Sequence, residues 1–526
     1  MQPRDAAVGQ GSSYLTAPAT PGRTTSRRTT SLTLLVLVAA SAVLRFLFLV
    51  RKPFWFDEAF SAEVARIGWG NFLHLLWWRE ANMSLYYVLL RLWLHFGQSE
   101  YFIRSLSVVA AVATVPAIYW LGSLLYDRRV GLIAAALLTF NAYNVRYAQE
   151  ARSYALFVLL ATLSSACLIA HLDRPSRRNR AAYAVASVLA AYAHFYALLL
   201  VAGHWLALRI LRDRSQQATD SGPELPNMRR TWITIGIAVL PLLIFVAKTG
   251  AGPIRWIQRP GMSDLVEFWE HLAGSEHWLL LALYAAGCIA AVLPLGTRLF
   301  KAGQDRDTWR AQFLLIWLLF PIVLTALLSF ARPVFLGRYL IFCLPAFVIL
   351  TAAGLARIRN FWLLSAALAG TLALAGQSVL FVYGHDFDSE RDGSGAAANY
   401  VLDHAEPGDA IIFHIAETRV PYEFFRSVRA GENTASAASK SQLGPEIIFP
   451  HHADGLDYRD FTGKPTADFL RTEPVRYRRV WVVLMNNGPV ANPDPTTVVL
   501  SQILGQSFPQ MQSSQFSKVE VRLYSK

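Results

Sequence analysis

Charge is scarce in this chain. Of its 526 residues only 16% are Asp, Glu, Lys or Arg, against roughly 25% in an average soluble domain, while 54% are hydrophobic. A wholly water-soluble globule is excluded. Cysteine is scarcer still. The three, Cys167, Cys288 and Cys343, all fall inside apolar blocks, so they make neither a disulfide framework nor a metal spacing, and they read as small core residues. The sequence also lacks a Gly-rich phosphate loop, a Ser-His-Asp order and a zinc signature. Without a nucleotide loop an ATP-driven pump is disfavoured. The net charge of +13 does not mark a nucleic-acid-binding protein, because the Arg and Lys residues flank apolar blocks, where they orient helices and meet anionic headgroups.

What is present is a series of eleven apolar blocks, at about 32–50, 103–125, 130–145, 153–171, 181–193, 195–211, 232–249, 278–296, 311–330, 339–356 and 361–382. Most are near the roughly 20 residues that cross a bilayer as helix. The expected fold is therefore an α-helical polytopic membrane protein of about eleven transmembrane helices. A disordered cytoplasmic tail (1–31) precedes the membrane domain (32–383), and a small external α/β soluble domain (384–526) follows it. The stretch 85–96 is short and interrupted by Arg91 and His95. It suits an interfacial helix, with Trp77, Trp78, Tyr86, Tyr87 and Trp93 at headgroup level. The connections rich in Arg and Lys, 127–129, 174–180, 209–230, 298–310 and 357–359, then share the side of the basic N-terminal tail, which places Asp57, Glu58 and everything after 382 on the external side. In the C-terminal part 396–404 reads as helix, Pro407-Gly408-Asp409 as a turn, and Ala410–His414, 479–484 and 519–524 as strands. His414, His451 and His452 lack metal spacing and read as surface histidines.

The external face collects Asp57, Glu58, Glu63 and Glu80; Arg146, Tyr147, Gln149, Glu150, Arg152 and Tyr154; His194 and Tyr196; Arg255 and Arg259; and Arg332, Arg338 and Tyr339. Carboxylates at a membrane edge are costly. Asp57 and Glu58 read either as the start of a helix, favoured by its positive end, or as part of a site. Any one of the arginines reads first as a snorkelling anchor or an ion-pair partner. Together they suit an anionic lipid headgroup, because the guanidinium fork matches phosphate oxygens.

The motifs fall in a recognisable order. Trp55-Phe56-Asp57-Glu58-Ala59 follows the first span. Next come Glu80-Ala81-Asn82-Met83-Ser84-Leu85-Tyr86-Tyr87, Arg146-Tyr147-Ala148-Gln149-Glu150-Ala151-Arg152-Ser153-Tyr154, Ala193-His194-Phe195-Tyr196 and Pro333-Val334-Phe335-Leu336-Gly337-Arg338-Tyr339-Leu340. Over about 32–382 this resembles the bacterial relatives of the protein O-mannosyltransferases, glycosyltransferase family 39, which have the GT-C membrane fold. It also resembles the aminoarabinose transferases that modify lipid A. The resemblance implies a sugar donor carried on polyprenyl phosphate, an inverting transfer on the external side of the inner (plasma) membrane, and an acceptor that is a protein, lipid or glycan. It assigns Asp57 as general base, with Glu58 orienting it or sharing the work, and turns Glu80 toward the acceptor. Arg152 and Arg338, with Arg146 and His194, fall to the donor phosphate, and Tyr154, Tyr339 and Asn82 to the substrate. No cofactor and no metal is expected.

This chain departs from the pattern in two places. Many relatives carry His-Pro-Pro-Leu where it has Asn82-Met83-Ser84-Leu85, so Asn82 stands in place of His. The aminoarabinose enzymes place Lys where it has Ala81, which weakens lipid A phosphate as the acceptor. The competing readings are a transporter or flippase of lipid-linked sugars, or a scaffold with an external binding domain. The sequence shows no inverted repeat and no matched pair of broken helices, so neither reading gains support.

Overall fold

The computed structural model describes residues 27–218, 226–249, 257–274, 278–299, 306–384, 393–432, 443–450, 463–485 and 494–526. Arg255, His451 and His452 lie outside them. The membrane part runs α1 (Arg27–Phe46), α2 (Phe56–Arg66), α3 (Trp69–Trp78), α4 (Ser84–Trp93), α5 (Glu100–Leu125), α6 (Arg128–Thr139), α7 (Ala142–Ala148) and α8 (Tyr154–Asp173). It continues with α9 (Arg177–Ala193), α10 (Ala197–Ala218), α11 (Arg229–Thr249), α12 (Met262–Ala273), α13 (Trp278–Val292), α14 (Arg306–Ala331), α15 (Leu344–Leu355) and α16 (Phe361–Gly384).

Each of the eleven apolar blocks is helical. Among the described residues eight stretches are long and apolar enough to cross a membrane by length and composition: α1, α5, α8, α11, Trp278–Gly296, Thr308–Ala331, Gly337–Leu355 and α16. The other three blocks are helical but shorter, with 12 residues in α6, 17 in α9 and the apolar stretch Ala197–Leu211 of α10. The protein is a multi-pass membrane protein. Its helices approach closely where small residues meet: a Cβ on Gly354 of α15 would stand 1.8 Å from the Gly287 carbonyl oxygen of α13, so glycine sets that packing distance.

The block at 130–145 is broken rather than continuous. Asn141 caps α7 by accepting from the Asn144 N–H at 2.9 Å, and Arg45 of α1 satisfies the carbonyls this break exposes. Its guanidinium donates to Leu138 O and Thr139 O, each at 3.1 Å, and to Asn144 Oδ1 at 2.7 Å. Interrupted backbone is tolerated among spans only when its polar groups find such partners.

Between α1 and α5 the chain folds into the short helices α2, α3 and α4. Trp69, Trp77 and Trp78 of α3 are exposed, as an interfacial helix requires. Tyr86 and Tyr87 of α4 correct the headgroup-level expectation. Both are fully buried, with the Tyr86 hydroxyl 3.0 Å from Ser107 Oγ and the Tyr87 hydroxyl donating to Glu80 at 3.4 Å. The aromatic-rich stretch gave no sign of which rings face inward.

After the last span come α17 (Ser394–His404), β1 (Ala410–His414), α18 (Arg419–Glu432), β2 (Glu446–Phe449), α19 (Ala467–Thr472), β3 (Arg479–Met485), α20 (Pro495–Ser507), β4 (Gln510–Phe516) and β5 (Val519–Ser525). They form one sheet in the order β2-β1-β3-β5-β4. β1 pairs parallel with β2 and β3, and β5 pairs antiparallel with β3 and β4. The parallel pairs explain why β1 and β3 read as continuous apolar runs, since helices cover both faces. Leu500, Ile503 and Leu504 of α20 pack on Ile412, Val480 and Val482. Ala397 and Val401 of α17 and Val420 and Phe424 of α18 pack on the opposite face, against Ile411, Phe413 and Trp481. His414 is not a surface histidine. It is buried at the end of β1, with Nε2 3.0 Å from Asp494 Oδ2.

α18 also docks this sheet on the membrane part. Phe424 stacks on Phe54 with centroids 4.7 Å apart. Arg66 of α2 lies over the Phe424 ring at 4.8 Å and donates to Ser427 Oγ at 3.0 Å.

Candidate active site

α2 begins at Phe56, so Asp57 and Glu58 lie in its first turn, where the helix dipole favours negative charge. Neighbours on a helix point about 100° apart, and here they enter different surroundings. Glu58 turns inward. Its Oε1 accepts from Arg104 Nε at 2.7 Å and from the Ala151 N–H at 2.9 Å, and its Oε2 accepts from Arg104 Nη2 at 2.6 Å. Both side chains of the pair are 0% exposed. Arg104 also donates to the carbonyls of Leu49, Lys52 and Pro53, at 2.8, 3.0 and 3.1 Å. One buried fork thus joins the segment after α1, the first turn of α2 and the start of the Arg152 segment.

Asp57 turns outward into a cavity of about 150 Å³ lined by Phe56, Asp57, Phe60, Leu75, Arg79, Glu80, Arg152 and Glu417. Its side chain is 23% exposed, and its Oδ2 lies 3.7 Å from Arg152 Nε. Arg152 also donates to Asp57 O at 3.5 Å and Ser61 Oγ at 3.4 Å, and hydrogen-bonds the Tyr87 hydroxyl. Burial lowers the Arg152 pKa, but Asp57, Tyr87, Tyr154 and Glu80 together more than offset this and hold it above the usual arginine range. Glu80 is half-buried. Burial pushes its carboxyl up to about 7, against the pull of Arg152 and the Tyr87 hydroxyl and with the help of the Glu417 and Asp57 charges.

Behind Arg152 lies an aromatic layer. The Tyr154 ring is 5.0 Å from Tyr147 and 6.5 Å from Tyr339, and His194 is 4.7 Å from Tyr339. Arg146 sits over Tyr147 at 5.6 Å and Arg338 over Tyr339 at 6.0 Å. Arg338 acts electrostatically on Tyr154, Asp57, Tyr339 and Tyr147. His194 is buried. Burial, with Arg152 and Arg338 nearby, lowers its pKa to about 3, so the ring is neutral. Its Nδ1 accepts from the Tyr196 N–H at 3.2 Å, which assigns the ring proton to Nε2. That Nε2 has no hydrogen-bond partner among the described residues.

The structure therefore brings Asp57, Glu80 and Arg152 into one cleft and sets Tyr154, Tyr339, His194, Arg338 and Arg146 in the layer beside it. Glu58 and Asn82 stay outside the cleft. The Asn82 side-chain carbonyl accepts from the Phe195 N–H at 3.0 Å and ties the loop before α4 to the α9–α10 turn. The next residue, Met83, has φ 69, a left-handed backbone that proline cannot adopt, so the missing prolines match a different local path. Arg104, Arg79 and Glu417 were not singled out in the sequence. Arg104 looks there like one more basic residue beside a span, and Glu417 lies in no motif. Among the described residues no group of three or more His, Cys, Asp or Glu side chains forms a metal site.

No protein-family model matches the chain, and no curated protein matches it in sequence. Solved structures do. ArnT from Cupriavidus metallidurans in its apo state superposes with a TM-score of 0.58 at 11% identity, over 94% of this chain and 98% of that one. The chain has the GT-C fold. ArnT bound to undecaprenyl phosphate gives a TM-score of 0.55 at 12% identity, over 93% and 97% of the two chains. The oligosaccharyltransferase AglB from Archaeoglobus fulgidus, in complex with an inhibitory peptide and a dolichol-phosphate, gives 0.52 at 10% identity, over 86% and 69%. At such identities the shared GT-C architecture does not carry substrates across; those are argued from this chain's own cleft.

Proposed function

We propose that this protein is a glycosyltransferase that moves a sugar from a polyprenyl-phosphate carrier to a hydroxyl group on the external side of the membrane. The observation that carries the reading is the Asp57–Arg152 pair. A partly exposed carboxylate and a largely buried guanidinium stand 3.7 Å apart in a cleft at the end of a membrane-spanning bundle. Transfer needs a base for the acceptor hydroxyl and cations for the leaving phosphate. Asp57 takes the acceptor proton as the acceptor oxygen attacks C1 of the donor sugar. The C1–O bond to phosphate breaks, and polyprenyl phosphate leaves with the bonding pair toward Arg152 and Arg338. Attack opposite the phosphate inverts the anomeric centre. Neutral His194 contributes an Nε2–H hydrogen bond rather than a charge, and Glu58 positions Asp57 instead of sharing its chemistry. The carriers present in the ArnT and AglB complexes support a lipid-linked donor. The Arg- and Lys-rich connections support the external placement of the cleft and of 384–526.

Arg152 tests the phosphate assignment. Undecaprenyl phosphate should bind Arg152→Ala about tenfold or more weakly than wild type, with Arg152→Lys between, because Lys keeps the charge and loses the fork. Equal and negligible losses in titrations of both variants remove Arg152 from the donor site.

Glu80 gives the cleft a pH signature. Its carboxyl titrates near 7, so below that value it is protonated and no longer a full acceptor for the incoming hydroxyl. The value of kcat/KM should therefore fall by up to about tenfold per unit below pH 7, and Glu80→Gln should lower the plateau and remove this limb. An unchanged pH profile in Glu80→Gln assigns the limb elsewhere.

A further inference from the structure

Glu417 reaches the cleft from the far end of the chain. It lies in a 3-10 turn, Ala416–Thr418, directly after β1, so it projects from the carboxyl end of a central parallel strand, the edge where open α/β sheets present ligand-facing groups. The turn is fixed on both sides. The Thr418 N–H and hydroxyl donate to Ile415 O at 2.9 and 2.7 Å. Arg419, which opens α18, donates to Glu423 Oε1 and to Pro450 O at 3.0 Å each. Because α18 is stacked on Phe54 and Arg66 beside α2, the turn is held over the helix start that carries Asp57.

The cleft then has two chemically different sides that share Asp57. Toward Arg152 and Arg338 it is cationic and aromatic, suited to the donor phosphate. On the other side stand Glu417, Glu80 and Arg79, with Phe56 and Phe60 stacked on each other 6.1 Å apart. Glu417 is half-buried, and burial raises its carboxyl pKa against the pull of Arg79. With Asp57, three carboxylates and two arginines line the cavity, and the donor phosphate engages one of the arginines. An anionic acceptor meets net repulsion there. A neutral sugar fits: its hydroxyl pairs donate to the carboxylates and its C–H face covers the phenylalanine rings.

We infer that Glu417, supplied by the sheet-bearing C-terminal part, is an acceptor-binding residue of the cleft, and that the acceptor it selects is an uncharged sugar unit of a glycan. This rests on the reading of the cleft as a glycosyl-transfer site. The test adds purified full-length protein to membranes from cells lacking its gene, which hold the unmodified acceptor. A radiolabelled polyprenyl-phosphate sugar extracted from the same membranes is the donor, and acceptor is varied through the amount of membrane. Glu417→Gln should raise the acceptor KM about tenfold, leave the donor KM within about twofold and retain undecaprenyl phosphate binding, which shows that it is folded. Glu417→Asp should be intermediate, and mass spectrometry should find the new bond on a sugar hydroxyl. An unchanged acceptor KM, an effect confined to the donor KM, or a product linked to Ser, Thr or phosphate overturns the inference while Asp57→Asn remains inactive. Full activity in Asp57→Asn instead overturns the transfer-site reading beneath it.

Discussion

Asp57→Asn should insert, fold and bind undecaprenyl phosphate, yet transfer sugar about 10³-fold more slowly, within the 10²–10⁴ range of a positioned general base. The substitution keeps the side-chain shape and removes the negative charge, and with it the ability to take a proton. It does not disturb the helix start, because α2 is anchored by Glu58, whose carboxylate holds Arg104 and the Ala151 N–H. Asp57 itself contributes one long ion pair to Arg152, at 3.7 Å. Releasing Arg152 from that pair leaves its guanidinium for the phosphate alone, so carrier binding should be as tight as in wild type or tighter. Turnover and carrier titration on the same preparation check both halves. A variant that keeps more than about a tenth of the activity has no general base at position 57.

Glu58→Gln should fail in a different way. Its partner Arg104 is 0% exposed, as is Glu58, and removing one member of a buried pair costs about 3–5 kcal/mol because the other charge is left uncompensated. The backbone carbonyls of Leu49, Lys52 and Pro53 still accept from Arg104, which argues for the lower end of that range. The loss should appear as a clear drop in Tm, with reduced transfer as a consequence, since Ala151 and hence Arg152 lose their anchor. The double variant Glu58→Leu with Arg104→Met should recover part of the Tm, because no lone charge then remains. A Glu58→Gln protein with wild-type Tm and impaired turnover places Glu58 in the chemistry instead. These opposite signatures separate two adjacent carboxylates that look alike in the sequence.

Much of the architecture was legible because its physics is local. Apolar runs near bilayer length became helices, and the strands at 410–414, 479–484 and 519–524 showed as apolar or alternating runs. β4, Gln-Met-Gln-Ser-Ser-Gln-Phe, is mostly exposed and carries no burial pattern, so nothing in its composition announces a strand. The Asp57, Glu80 and Arg152 cluster was legible because each lies in a motif, Asp57 and Arg152 beside a span end and Glu80 in the short segment between interfacial helices. The inward turn of Glu58 was not, since it depends on Arg104, 46 positions away. Glu417 was hidden for the same reason at longer range. Only the docking of α18 on α2 brings it to the cleft, and no spacing within the chain encodes that contact.

The most direct test is the fate of a labelled sugar when the purified protein is reconstituted in liposomes with polyprenyl-phosphate sugar in the bilayer and acceptor glycan outside. The account predicts that label leaves the lipid, becomes covalently attached to the acceptor, and is matched mole for mole by free polyprenyl phosphate, with Asp57→Asn blocking all three. Label that stays on the carrier and merely changes leaflet, equally in wild type and Asp57→Asn, contradicts it and makes the protein a flippase.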